Sequence, residues 1–366
     1  MGSLVPVALR NILADRRRLA VATIGVGLAV ALILLLQGLW SGLLAQLSAY
    51  PDRVGATFFV RQPGTRILDE GAIPLAAAGR VRAVPGVRAA DPVLARWTIL
   101  SLHGTKQVVT VVGFTPGGLG GPWALSGGRT VRGDGEVVMD QTLAAEHNIA
   151  VGGTLRVADR AFRVVGLSSG TRAFMGTGYV FMSLRSAGAL LGQPATATFV
   201  LVRAADEAAT KAAIAGRTGL SVDSPEVVAV AERDVYAGIM GRIFNLMVLI
   251  AFAAGTLIVA LTVYSAIVDR LREYGIAKAI GARRARVFRI VAGQTLVLSA
   301  FGLVAGFLLY LGGSRLIAAL RPQFQAELTL RAVGVVAVAA VLMGLLAAVV
   351  PARRVARLDP ASVYRG

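Results

Sequence analysis

Four long, strongly apolar stretches of the chain carry no charged residue: Leu19–Tyr50, Ile243–Val268, Ile290–Ser314 and Ala332–Val350. Each is long enough to cross a bilayer as a helix, whose hydrocarbon core is about 30 Å thick. The first has 32 residues and as a helix would reach about 48 Å, so its outer end (Gln37, Trp40, Ser41, Gln46, Ser48) is expected to continue past the bilayer as a stalk. A cleaved leader has an apolar core of only about 7–15 residues, so this segment is read as an uncleaved span.

Between the first and second spans the pattern changes to short β-like runs separated by Gly- and Pro-rich turns such as TPGGLGGP at 115–122. The runs are Thr57–Arg61, Arg96–His103, Gln107–Phe114, Glu136–Met139, Thr154–Val157, Phe162–Leu167, Tyr179–Met182 and Thr198–Val202. Helices are expected at Pro74–Arg82, Gln141–Asn148, Leu184–Leu191, Asp206–Ala215 and Glu226–Met240, the last running into the second span. The predicted fold class is therefore a membrane protein of four transmembrane α-helices, with a large α+β extracytoplasmic domain between the first and second spans. In chain order, 1–18 is a cytoplasmic amphipathic helix, 19–50 the first span and stalk, and 51–238 the outer domain. Then come 239–268 (stalk and second span), a basic loop at 269–289, spans at 290–314 and 332–351 joined by a short outer loop at 315–331, and a tail at 352–366.

Charge fixes the orientation. Residues 1–18, 269–289 and 352–366 hold 15 Lys/Arg and 4 acids, whereas residues 51–242 hold 20 and 15. Much of the net charge of +18 thus flanks the apolar runs, where it keeps these segments cytoplasmic and meets anionic lipid. Nucleic acid is not an expected partner. The lipid bilayer is, and the chain is placed in the bacterial cytoplasmic membrane with several passes.

Much chemistry is excluded. There is no cysteine, hence no disulfide or thiolate site. No GxxxxGK[ST] loop is present, and two histidines without HExxH do not make a zinc hydrolase. Gly166-Leu167-Ser168-Ser169-Gly170 fits G-x-S-x-G, but both histidines precede it in the chain, so a turn between strands is expected rather than a serine nucleophile. No span carries a charge at its centre, which argues against an ion-coupled carrier. In the third span Gly302 and Gly306 form a small-xxx-small pair suited to close helix packing.

The basic loop carries an ordered pattern. Arg272-Glu273-Tyr274-Gly275-Ile276-Ala277-Lys278-Ala279-Ile280-Gly281-Ala282 resembles the R-E-x-G-x-x-[KR]-A-[IL]-G-A signature of the FtsX-like permease family, the MacB/LolC/LolE/DevC-type permease subunits of ABC transporters. Pro351-Ala352 through Leu358-Asp359-Pro360 resembles the family's ending. Val138–Asp140, Gly152–Thr154 and Phe162–Gly166 resemble the core of its outer domain. Gln294 stands where the family often has an acid.

The resemblance implies a type VII, MacB-like permease subunit, non-catalytic and without cofactor of its own, ATP being bound by a separate ATPase subunit. Arg272, Glu273, Gly275, Lys278, Ala279, Gly281 and Ala282 would form the coupling helix that docks on that ATPase. Two ATPase copies would act with two permeases, the second a copy of this chain or a close paralogue. ATP hydrolysis would then drive an extracytoplasmic conformational change for export, efflux, or extrusion of lipid, lipoprotein or peptide, and an export system can add a membrane-fusion protein. The alternative is an FtsX-like signalling or regulatory protein that controls an outer enzyme or kinase and moves no substrate.

Overall fold

A computed structural model describes residues 16–102, 104–157, 159–171, 177–268, 284–320 and 326–356. Four long helices are present: α1 (Arg16–Arg53), α6 (Pro225–Val268), α7 (Arg284–Leu320) and α8 (Leu330–Ala356). All four are long and apolar enough to cross a membrane. Helix α6, at 44 residues, is about 66 Å long, roughly twice the hydrocarbon thickness. It starts at Pro225, whose fixed φ and missing N–H suit a first helical position. Helix α7 runs on to Leu320, beyond the uncharged stretch ending at Ser314, because Arg315 lies in a helix-compatible run without Gly or Pro.

The chain divides into two compact units. One holds the helical segments 16–42, 242–320 and 326–356 among the described residues. Its core is an apolar cluster around α1, with Val26, Val30, Ile33 and Leu34 buried against Val259, Val336 and Met343. Leu257, Leu261, Val304, Leu308 and Val338 point outward, as expected of side chains facing lipid.

The second unit comprises residues 43–241. It contains the outer ends of α1 and α6, the short helices α2 (Ala76–Arg82), α3 (Gln141–Glu146), α4 (Leu184–Leu191) and α5 (Glu207–Thr218), and twelve strands among the described residues. The strands are β1 (Phe58–Arg61), β2 (Ile73–Pro74), β3 (Val87–Leu102), β4 (Thr105–Phe114), β5 (Leu125–Gly128), β6 (Glu136–Asp140), β7 (Thr154–Val157), β8 (Arg160–Ser168), β9 (Gly178–Ser183), β10 (Thr196–Ala197), β11 (Phe199–Ala204) and β12 (Ser221–Asp223). Ten of them form one mixed sheet in the order β12-β1-β11-β3-β4-β9-β6-β8-β5, with β7 on β8.

The 16-residue β3 organises this sheet. Its first half pairs with β11 (Val93 opposite Phe199) and its second half with β4 (Leu94 opposite Gly113). Where it changes partner, the buried Thr198 hydroxyl accepts the Ala95 N–H at 2.9 Å and donates to the Val93 carbonyl at 3.0 Å. The hydroxyl thus gives the Ala95 N–H a partner, while the Val93 carbonyl also accepts the Thr198 N–H at 2.8 Å.

Strand alternation then sorts the cores. Phe58 and Val60 face one side of the sheet with Val81 of α2 and Ile214 of α5. Phe59, between them, faces the other side with Val93, Phe199 and Leu201, against Tyr50 of α1 and Val228 of α6. A third cluster, including Val111, Met139, Leu143 and Val180, lies under the second half of the sheet. The short helices are capped locally: Asp140 takes the N–H groups of Thr142 and Leu143, and Ser183 takes that of Ser186.

Candidate functional site

The predicted coupling residues, Arg272, Glu273, Gly275, Lys278, Ala279, Gly281 and Ala282, lie outside the described residues, as do residues 1–15 and 357–366. Their helical flanks are described: α6 continues to Val268 and α7 begins at Arg284.

Gly302 and Gly306 both face α1. A Cβ on Gly302 would lie 2.6 Å from Val26 Cβ, and one on Gly306 would lie 2.6 Å from Val30 Cβ and 2.8 Å from the Gly27 carbonyl. Only glycine allows that approach. The seam is wider than the sequence pair suggested. Gly25 sits against Ile258 of α6, Gly27 against Ala305 of α7, and Gly255 of α6 against Ala29 and Met343. The signal was present in the small residues at 22, 25, 27 and 29 of α1, but inside a uniformly apolar run they mark no face on their own. Helix α1 is also tied part-way along, where the Glu327 N–H donates to the Gly38 carbonyl at 3.0 Å.

The serine of the G-x-S-x-G match is not in a turn. Ser168 is the last residue of β8, fully buried, opposite Asp140 of β6 and Leu125 of β5. Its hydroxyl donates to the Met139 carbonyl at 3.2 Å and lies 2.5 Å from the Thr171 hydroxyl, which donates to Asp140. The group is part of a buried structural network and cannot meet a substrate.

In the outer domain the ends of α1 and α6 enter an aromatic core. Tyr50 stacks on Tyr179 at 5.9 Å and meets Phe199 and Trp123 edge-on, while its hydroxyl donates to the Gly120 carbonyl at 3.1 Å. Tyr179 stacks in turn on Phe181 at 5.5 Å. The sheet face is set by register: Ala95 lies opposite Val112, Trp97 opposite Thr110, and Thr110 beside Tyr179. Against this face the two helices border a partly open cavity of about 70 Å³. Tyr50 and Leu47 of α1, Glu232 and Tyr236 of α6, and Leu68 and Asp69 of the loop after β1 help to line it.

Glu232 is only 9% exposed and accepts the Leu68 N–H at 3.0 Å. Burial pushes the Asp69 carboxyl above its ordinary range; Arg96 partly offsets this and Glu70 adds to it. Burial likewise raises the Tyr179 hydroxyl, with the nearby Glu232 charge second, so it stays a neutral donor. Arg61 is matched elsewhere, by Asp223 at 2.7 Å. None of these residues stood out in the sequence, yet Val228, Glu232 and Tyr236 recur at i, i+4, i+8. An acid set within the buried face of a helix was the available signal.

Comparison with known proteins adds family evidence. Residues 19–216 match the MacB-like periplasmic core domain and residues 245–360 the FtsX-like permease C-terminal domain. Over 363 residues the chain is 28% identical to an uncharacterised ABC transporter permease of Mycobacterium tuberculosis strain H37Rv, covering 98% of this chain and 99% of that protein. It is 27% identical over 370 residues to one from Mycobacterium bovis, with the same coverage of 98% and 99%. The crystallised periplasmic region of MacB from Actinobacillus actinomycetemcomitans aligns with 47% of this chain and 89% of that one, at 14% identity and a TM-score of 0.37.

Proposed function

The chain belongs to the FtsX-like permease family of ABC transporters, with a MacB-like periplasmic core domain, and from this premise we propose that it converts ATP hydrolysis by a separate ATPase into movement of its outer domain. As an ABC transporter permease of that family it is a multi-pass protein of the bacterial cytoplasmic membrane, its central domain lies outside the cytoplasm, and it works with an ATPase partner. The finer reading concerns how the partner's work is used. One observation carries it: α1 and α6 each run unbroken from an apolar stretch into the aromatic core of the outer domain, ending at Tyr50–Arg53 and beginning at Pro225–Val228. An unbroken helix resists bending and transmits displacement along its axis, whereas a loop would absorb it.

In this reading the loop 269–289 is the coupling element, with Arg272, Glu273 and Lys278 as its polar contacts and Gly275, Ala279, Gly281 and Ala282 allowing close docking on the ATPase. Two ATPases act with two permeases. The outer domains do work on a lipid, lipoprotein or peptide, with no charged path needed through the spans, whose centres carry no Asp, Glu, Lys, Arg or His. The chain itself holds no nucleotide and performs no chemistry.

The test uses Gly275→Trp and Ala279→Trp in the full chain, with co-purification of the ATPase and nucleotide hydrolysis by the complex as readouts. Loss of both, with membrane insertion intact because the flanking arginines remain, is the expected result. Normal binding and hydrolysis in both variants would reduce the loop to an orienting anchor.

A further inference from the structure

We propose that the partly open outer-domain cavity lined by α1, α6 and the face of β3, β4 and β9 is a binding site for a small organic ammonium ion. Its walls and its charge both point to this chemistry. Trp97, Tyr50, Tyr179 and Tyr236 contribute aromatic rings to the lining, and Glu232 and Asp69 contribute two carboxyl groups. A cation with an apolar shell gains from both, through attraction to ring faces and through direct pairing.

Among the described residues, few partners meet these carboxyls. Glu232 is buried, and among the described residues the Leu68 N–H is its one hydrogen-bond donor. Burial raises the Glu232 carboxyl from 4.5 to about 7, only partly offset by the Leu68 N–H and by Arg61, so a cation that pairs with it also draws off its proton. Arg61 binds Asp223 through Nε and Nη2, at 3.2 and 2.7 Å. Arg96 is engaged by Gln193 and the Gly71 carbonyl. Both arginines still lower the nearby carboxyls in part, Arg96 that of Asp69 and Arg61 that of Glu232, and a bound cation would supply the rest.

Size selects within cations. A volume of about 70 Å³ accommodates roughly five to seven water-sized centres at about 10–15 Å³ each, room for a body the size of tetramethylammonium. A divalent metal is disfavoured, because it needs six or more oxygen ligands and no group of three His, Cys, Asp or Glu gathers among the described residues. Asp69, held above its ordinary carboxyl range by burial, takes up a proton earlier than usual as pH falls. Glu232 and the Tyr236 and Tyr179 hydroxyls line the same space, with Glu70 and Arg96 acting on Asp69 and Arg61 on Glu232 from nearby. Cation affinity should therefore fall on acidification and rise with pH.

The site lies entirely within the outer domain, yet α1 and α6 both line it. Occupancy would brace the two helices against the sheet, a consequence that rests on the proposed coupling role; binding itself does not. The experiment is ligand-observed NMR on the purified full chain in nanodiscs, without ATPase, titrating tetramethylammonium and methylammonium against a sodium chloride baseline. Saturable binding is expected, absent for the neutral, same-sized tert-butanol. Glu232→Gln, which keeps the Leu68 hydrogen bond, should weaken it about tenfold or more. Trp97→Leu, at a half-exposed wall position, should weaken it severalfold, while Glu146→Gln on the exposed end of α3 should leave it unchanged. No saturable binding of either ammonium ion, equal binding of tert-butanol, or wild-type affinity in Glu232→Gln would each overturn the proposal. An uncoupled chain that still bound tetramethylammonium would fault the coupling role alone.

Discussion

Helix α1 is held by two different means along its length. From Ala22 to Leu34 it is gripped through glycines: its own Gly25 and Gly27, and Gly302, Gly306 and Gly255 from its neighbours. From Leu43 to Arg53 it is held by bulk, with Tyr50 at the centre of an aromatic group containing Tyr179, Phe199 and Trp123. The contrast follows from the solvent. Between lipid tails, burying apolar area gains little, so helices associate by close backbone approach. In water, removing large rings from solvent is the main driving force, and size is favoured over intimacy. The same helix therefore carries a narrow seam along one stretch and a broad anchor along another.

The largest effect should come from the anchor. Tyr50→Ala removes a fully enclosed ring together with its hydrogen bond to Gly120, and should destabilise the outer domain by about 3–5 kcal/mol. Hydrogen exchange of the β11 amides would register this as a matching loss of protection. Next is the seam. Gly306→Val forces branched carbons onto Val30 and the Gly27 carbonyl, at a cost of about 1–3 kcal/mol in the helical unit. Gly312→Val, where no atom lies within 4 Å, should be silent in the same unfolding assay. Equal effects at the two glycines would remove the basis for a seam.

Ser299→Ala should act in the opposite direction. The Ser299 hydroxyl is buried without a partner among the described residues, close to Gly344 of α8. Its removal should stabilise the helical unit by up to about 1 kcal/mol, visible as slower unfolding.

The smallest effect lies far from α1. Glu136 is clasped bidentately by Arg129, whose guanidinium, with the Arg132 N–H second, pulls its carboxyl from 4.5 down to about 2. A depressed carboxylate stabilises the fold above its unfolded value and loses that contribution as pH falls from about 4.5 through about 2. Because both partners are partly solvated, Glu136→Gln should cost under about 1 kcal/mol at neutral pH. It should also flatten the acid limb of the outer domain's stability profile.

The seam and the anchor were unequally legible in the sequence. Uncharged runs announced the spans, and alternating apolar runs placed β4, β6, β7, β8, β9 and β11 within a few residues of where they lie. The first half of β3 was missed because Asp91 and Pro92 sit within it, yet Pro92 pairs with Val200 all the same. The edge strand β5, Leu-Ser-Gly-Gly, has no apolar alternation to read. Gly302 and Gly306 could be named from spacing, but their partners Val26 and Val30 could not, since valine in a span marks no face. The cavity was invisible for a related reason: Tyr50, Asp69, Tyr179 and Glu232 meet only once the sheet and both helices are assembled.

The central claim is that α1 and α6 act as rigid transmitters between the ATPase and the outer domain. The chain has no native cysteine, so a single spin label at Thr105→Cys, on the exposed end of the β3–β4 hairpin, reports on the outer domain without background. The decisive measurement is the label-to-label distance distribution in the assembled complex, with ATP and with ADP. It is made with α6 intact and with three glycines inserted after Met240. A nucleotide-dependent shift in the intact complex, abolished by the insertion while ATP hydrolysis continues, is the predicted result. A shift of the same size despite the insertion would show that the outer domain moves without a continuous α6, and would contradict the account.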